Sequence, residues 1–132
     1  FIPSSIRELL DKGKPDQTKS VMFVRGQTEC LWLYALQDWE HKLARARETL
    51  DDDQSRLFMH FIVSETMSSE IDRSGRICVP RRLRELAGIE DEIVAIGMYD
   101  RLELWSLEEW NSYLARMEEK YETSLNKILN VL

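Results

Sequence analysis

Ile2-Pro3-Ser4-Ser5-Ile6-Arg7-Glu8-Leu9 lines up with Val79-Pro80-Arg81-Arg82-Leu83-Arg84-Glu85-Leu86 at an offset of 77. Farther along, Leu31-Trp32-Leu33-Tyr34 matches Leu102-Glu103-Leu104-Trp105, and Trp39 matches Trp110, at an offset of 71. Two matches in the same order make an internal repeat, and that repeat organises everything else in the chain. The change of offset gives the first copy six extra residues. The polar segment Asp11-Lys12-Gly13-Lys14-Pro15-Asp16-Gln17 suits such an inserted surface loop.

Each copy predicts a strand, a short helix, two strands and a longer helix. Pro3 and Pro80 stand where a strand gives way to a helix, because proline is tolerated in a first helical turn and not in the interior. Ile6, Leu9 and Leu10, and then Leu83, Leu86 and Ala87, form one face of a two-turn helix. Gly88 suits a left-handed cap after the second of these helices. Val21-Met22-Phe23-Val24 and Ile93-Val94-Ala95-Ile96 are apolar runs of strand length, punctuated by Gly26 and Gly97.

Leu36, Trp39, Leu43, Ala46 and Leu50 make a helical stripe, and Leu107, Trp110, Leu114, Met117 and Tyr121 make its counterpart. Both stripes are expected to pack in the core. Asp51-Asp52-Asp53 reads as the start of a linker helix running through Leu57, Phe58, Phe61 and Ile62. The stretch Tyr121, Leu125, Ile128, Leu129 and Leu132 is amphipathic and has no equivalent in the first copy. It is expected on the body or on another subunit. The expected organisation is therefore a first repeat at 1–50, a linker helix at 51–66, a second repeat at 67–118 and a C-terminal helix at 119–132.

With 132 residues, 43% of them apolar, the chain suits one domain or two half-size units sharing a core. No stretch approaches the ~18–20 apolar residues of a membrane helix, so no segment is expected to span a bilayer. No signal peptide is visible, and a chain opening at Phe1 is expected to continue upstream. Cys30 and Cys78 lie far apart in apolar-rich runs and read as reduced core residues of a cytosolic protein.

Catalytic patterns are missing from the sequence: there is no phosphate-binding glycine loop, nucleophile elbow or His-Glu-x-x-His. His41 and His60 have no ligand-like spacing and read as surface or boundary histidines. The aspartate triplet lacks the alternating oxygens and the glycine of a calcium loop. Neither an enzyme nor a metal, cofactor or small-molecule site is expected.

The net charge is −6, which for a whole domain argues against nucleic acid. Its distribution points the other way. Between Ile71 and Arg84 stand Arg73, Arg76, Arg81, Arg82 and Arg84 against Asp72 alone, a local +4 that leaves −10 for the rest. Asp72-Arg73-Ser74-Gly75 is a turn signature, in which Asp bonds backbone two residues on and Gly supplies a positive φ. Strands are expected on both sides, at residues 67–71 and 76–79. Arg76 and Cys78 would then share one face and Ile77 and Val79 the other. Such a ribbon places guanidinium forks beside Arg81 and Arg82, and those forks suit phosphate oxygens and guanine edges. The plainer alternative is a solvated turn whose arginines pair with the chain's own acids, although surface pairs worth ~0–1 kcal/mol give little reason to cluster five of them.

Asp72-x-x-Gly75-Arg76, an apolar run, Val79-Pro80 and an Arg/Leu helix resemble the signature of the MraZ family, in the swapped-hairpin AbrB-like superfamily. Leu102-Glu103-Leu104-Trp105 with Trp110 resembles that family's second copy, and the likeness covers essentially the whole chain. The resemblance implies an α+β fold of duplicated strand-helix-strand-strand-helix units, forming an intrachain swapped-hairpin barrel with flanking helices. It implies a cytoplasmic, nucleoid-associated transcriptional regulator that binds double-stranded DNA at promoter repeats of the division and cell-wall gene cluster. It also implies assembly into a ring-like homo-oligomer. DNA contact carries over to Arg76 by motif and to Arg73, Arg81 and Arg82 by charge and position, with Asp72 and Gly75 shaping the turn. Two departures stand out: Ser74 occupies a position where the family usually has Lys, and the first copy's own Asp-x-x-Gly-Arg would fall ahead of Phe1. The competing reading is a non-enzymatic interaction or scaffold module that uses the same patch on an acidic protein partner.

Overall fold

A computed structural model describes residues 19–25 and 29–132. The expected short helix of the first repeat and the inserted loop lie outside the described residues. Strand β1 (Lys19–Arg25) and strand β2 (Leu31–Ala35) form an antiparallel hairpin, in register from Val21↔Ala35 to Arg25↔Leu31. Strand β4 (Ile93–Gly97) and strand β5 (Leu102–Ser106) form its counterpart, from Ile93↔Ser106 to Gly97↔Leu102. Strand β3 (Met67–Ile71) lies between the hairpins in sequence and pairs with β1. The result is a five-stranded antiparallel sheet of order β3-β1-β2-β5-β4. The chain is thus α+β, and this sheet is open among the described residues.

The two hairpins meet where β2 pairs with β5, through Leu31↔Leu104, Trp32↔Glu103 and Leu33↔Leu102. At the repeat offset of 71, Leu31 corresponds to Leu102 and Leu33 to Leu104. Exchanging the copies therefore swaps the outer two pairs with each other and maps Trp32↔Glu103 onto itself. An internal two-fold relation passes through that pair. Both strands bury every residue except the one on this axis.

Helix α1 (Leu36–Thr49) and helix α4 (Leu107–Lys120) follow β2 and β5 directly, and each is 14 residues long. Ser106 caps α4 by accepting from the Glu109 N–H at 3.1 Å. Helix α2 (Asp52–Phe61) opens on a reciprocal cap in which Gln54 N–H donates to Asp51 at 2.8 Å and Asp51 N–H donates to Gln54 at 3.1 Å. A single 3₁₀ turn (Val63–Glu65) leads from α2 into β3. Helix α3 (Arg81–Ala87) ends at Gly88, whose φ of +67° permits the left-handed cap. Helix α5 (Glu122–Val131) follows α4.

The main core gathers Val21, Phe23, Leu31, Leu33, Ile71, Leu102 and Leu104 from the sheet with Leu83 and Ala87 of α3. A second cluster holds Val24, Tyr34 and Trp39, with Phe58 of α2 and Ile62 just after it packed on it. Here the copies part company. Trp39 is buried because α2 covers α1, whereas Leu107 and Leu114 on α4 and Tyr121 just after it are exposed. The expected core stripe of the second copy is therefore only half-sheltered, by Trp110 and Met117. The apolar residues of α5 are exposed as well.

Two further expectations are corrected. Residues 76–79 form no strand: β3 is the edge of the sheet and pairs on its other side with β1. What ties it to 76–79 is the Asp72 N–H donating to the Arg76 carbonyl at 3.0 Å in the turn and the Ser69 hydroxyl donating to the Cys78 carbonyl at 3.2 Å, a side-chain contact in place of a backbone ladder. Alternation survives nonetheless, with Arg76 and Cys78 exposed and Ile77 and Val79 packed against the core. Cys78 is therefore a surface thiol, while Cys30 is buried, and neither forms a disulfide.

Candidate nucleic-acid interface

The turn after β3 is built by Asp72. Its backbone N–H donates to the Arg76 carbonyl at 3.0 Å, and its carbonyl accepts from Gly75 N–H at 3.0 Å. Its Oδ1 accepts from the Ser74 and Arg76 N–H groups, both at 2.9 Å. One side chain thus holds the backbone of two residues, a local pattern Asp supplies better than longer acids. Gly75 sits at φ +83° and is buried, so a side chain there would be strained by its conformation.

This frame exposes Arg73, Ser74 and Arg76. Pro80 then starts α3, whose first turn carries Arg81 and Arg82 and no acid. Cations at that end oppose the helix dipole, which favours anions there. Carboxylates answer both. Arg81 Nε lies 3.0 Å from Glu85 Oε1, one turn along the helix, and both side chains are largely exposed. Arg82 makes a two-point contact with Glu65 of the 3₁₀ turn, Nε to Oε2 at 2.8 Å and Nη2 to Oε1 at 2.7 Å. That contact holds the Glu65 carboxyl below its ordinary pKa and raises the Arg82 guanidinium above its own.

Turn and helix start together bring Arg73, Arg76, Arg81 and Arg82 into one 10-residue stretch, with Arg84 following on α3. His41 and His60 are both exposed on their helices. Among the described residues no group of His, Cys, Asp or Glu is placed to hold a metal ion, and no helix is long and apolar enough to cross a membrane.

Sequence reasoning missed Glu65, which lies 17 residues before its partner with no periodicity linking them. It also missed a cluster on the internal axis. The Arg101 guanidinium stands 4.3 Å from the Trp32 ring centre and 3.0 Å from Asp100, and Lys42 of α1 reaches Asp100 at 2.7 Å. The Lys42 hydrogen bond is the main cause that holds the Asp100 carboxyl below its ordinary pKa. This cluster ties the two copies together. A Trp-for-Glu exchange at equivalent positions 32 and 103 was its one visible sign.

Two hairpins related by an internal two-fold, with an arginine-bearing turn leading into a short helix, define a duplicated α+β protein that presents a cationic turn. The family model described as "MraZ protein, putative antitoxin-like" matches residues 62–129. The transcriptional regulator MraZ of Halothermothrix orenii is 39% identical over 125 residues, covering 92% of this chain and 81% of that protein. That of Desulforamulus reducens is 36% identical over 135 residues, covering 100% and 89%. That of Natranaerobius thermophilus is 31% identical over 131 residues, covering 98% and 87%. The chain belongs to the MraZ family of transcriptional regulators.

Proposed function

We propose that this regulator binds double-stranded DNA sequence-specifically, at promoter repeats of the division and cell-wall gene cluster, through Arg73, Arg76, Arg81 and Arg82. The observation that carries the reading is the Asp72-braced turn, which fixes the backbone under Arg76 and leaves its side chain exposed. Asp72 and Gly75 shape that turn in this reading and do not touch the duplex. A rigid cationic turn loses less on binding than a flexible one.

The same proposal extends to architecture. β3 belongs to the second repeat yet pairs with the first repeat's hairpin, which is what an exchange between repeats requires. Its reciprocal strand would cover the outer edge of β4, where Ile93 is 43% exposed although its counterpart Val21 is fully buried. That addition would close the barrel. The uncovered faces of α4 and α5 support assembly into a ring-like homo-oligomer, and a ring would present several turns to adjacent repeats, raising avidity by ~10²–10⁴.

Fluorescence anisotropy with a promoter duplex tests the function. R73A and R76A should each weaken binding while light scattering shows assembly unchanged. A second reading, docking on an acidic protein, is favoured by the carboxylates that Arg81 and Arg82 already bind. Promoter binding undiminished in the double variant would favour it.

A further inference from the structure

We propose that Glu65 is an internal competitor for Arg82, a carboxylate that a backbone phosphate must displace before that arginine can serve DNA. The inference rests on the reading of Arg82 as a phosphate-binding residue. A carboxylate and a phosphate offer the guanidinium fork the same pair of oxygens, so occupancy by one excludes the other from that edge.

Several observations separate this contact from an incidental surface pair. It is two-pronged, at 2.8 and 2.7 Å, and it joins elements 17 residues apart. The Arg81–Glu85 pair, by contrast, is a one-turn contact within a helix whose side chains are 84% and 67% exposed. The Glu65 side chain is only 22% exposed, while that of Arg82 is 63% exposed, so the acid is the sheltered and fixed partner.

Its backbone is fixed as well. Glu65 N–H donates to the Ile62 carbonyl at 3.3 Å, and the Thr66 hydroxyl donates to the same carbonyl at 2.8 Å. Ile62 in turn packs with Phe58 against the Trp39 cluster. Glu65 is therefore presented by the end of the linker helix, and the seating of α2 on α1 sets whether its carboxylate reaches the interface. Arg25 at the end of β1 adds its positive field to the same carboxylate.

The test measures anisotropy of a labelled promoter duplex against salt for wild type, E65Q, R82A, E65Q/R82A and R76A, with circular dichroism confirming the fold of each. E65Q should tighten binding roughly two- to fivefold at low salt, the scale of one exposed ion pair. Its log–log salt slope should steepen by up to about 0.9, according to how far Glu65 withholds that phosphate contact in the wild-type complex. Neither change should appear when E65Q is made in the R82A background. An E65Q effect that survives R82A would be general charge removal, and weaker binding by E65Q would make Glu65 a positioning residue; either overturns the proposal alone. Unaltered binding by R76A and R82A together would instead overturn the DNA reading, and this inference with it.

Discussion

At Asp72 one carboxylate oxygen accepts from two backbone N–H groups, and the next glycine turns the chain at a positive φ. Those two residues shape the turn and the arginines supply its charge, so substitutions should separate the roles. Asp72→Ala removes both acceptor contacts and should cost about 1 kcal/mol, the net worth of such bonds at a surface. Gly75→Ala should cost about 1–2 kcal/mol in left-handed strain. Both should weaken DNA binding although neither removes a positive charge. Urea unfolding alongside anisotropy checks this; a stable Asp72→Ala variant with full affinity would contradict the role given to the turn. The Asp-x-x-Gly pattern was legible in sequence because all its bonds are local. Glu65 was not, because its distance to Arg82 is set by how α2, the 3₁₀ turn and α3 are arranged in space.

Among the elements, β3 pairs with β1 along five residue pairs, while β2 and β5 join the two hairpins through three. Lys42, Asp100, Arg101 and Trp32 reinforce this short seam from one side. A double-mutant cycle of K42A and D100N should give a coupling of about 0.5 kcal/mol, modest because both side chains are partly exposed. Because folding lowers the Asp100 pKa, its contribution is complete above the unfolded carboxylate's range and fades as pH falls through the lowered folded value. The stability gap between wild type and D100N should accordingly be widest at neutral pH and close in acid. A gap that widened in acid would refute the assignment. The repeat exposed both hairpins and both 14-residue helices, since offset matches and apolar periodicity survive in sequence. Strand pairing was less legible. Periodicity marks a buried face but does not name a neighbour, so the residues did not show that β3 would take β1 and leave 76–79 unpaired.

Across the molecule, an acidic body carries a basic stretch at one repeat's turn, and apolar helical faces stand open at α4 and α5. Ile128, Leu129 and Leu132 are 59%, 62% and 97% exposed, more apolar surface than an isolated helix end needs to show. Ile128→Glu with Leu129→Glu should therefore lower the oligomeric mass seen by light scattering while leaving circular dichroism unchanged. An unchanged mass would move the assembly surface elsewhere. The sequence reading expected the α4 stripe in the core because periodicity reports amphipathicity and cannot say whether the cover comes from the same chain.

The most direct measurement is the salt dependence of promoter affinity for wild type and for R73A/R76A. Each phosphate neutralised contributes roughly −0.9 to the log–log slope, so the double variant should bind more weakly with a slope shallower by about 1.8. A wild-type affinity indifferent to salt, or identical slopes for the two proteins, would contradict recognition of the duplex through this turn.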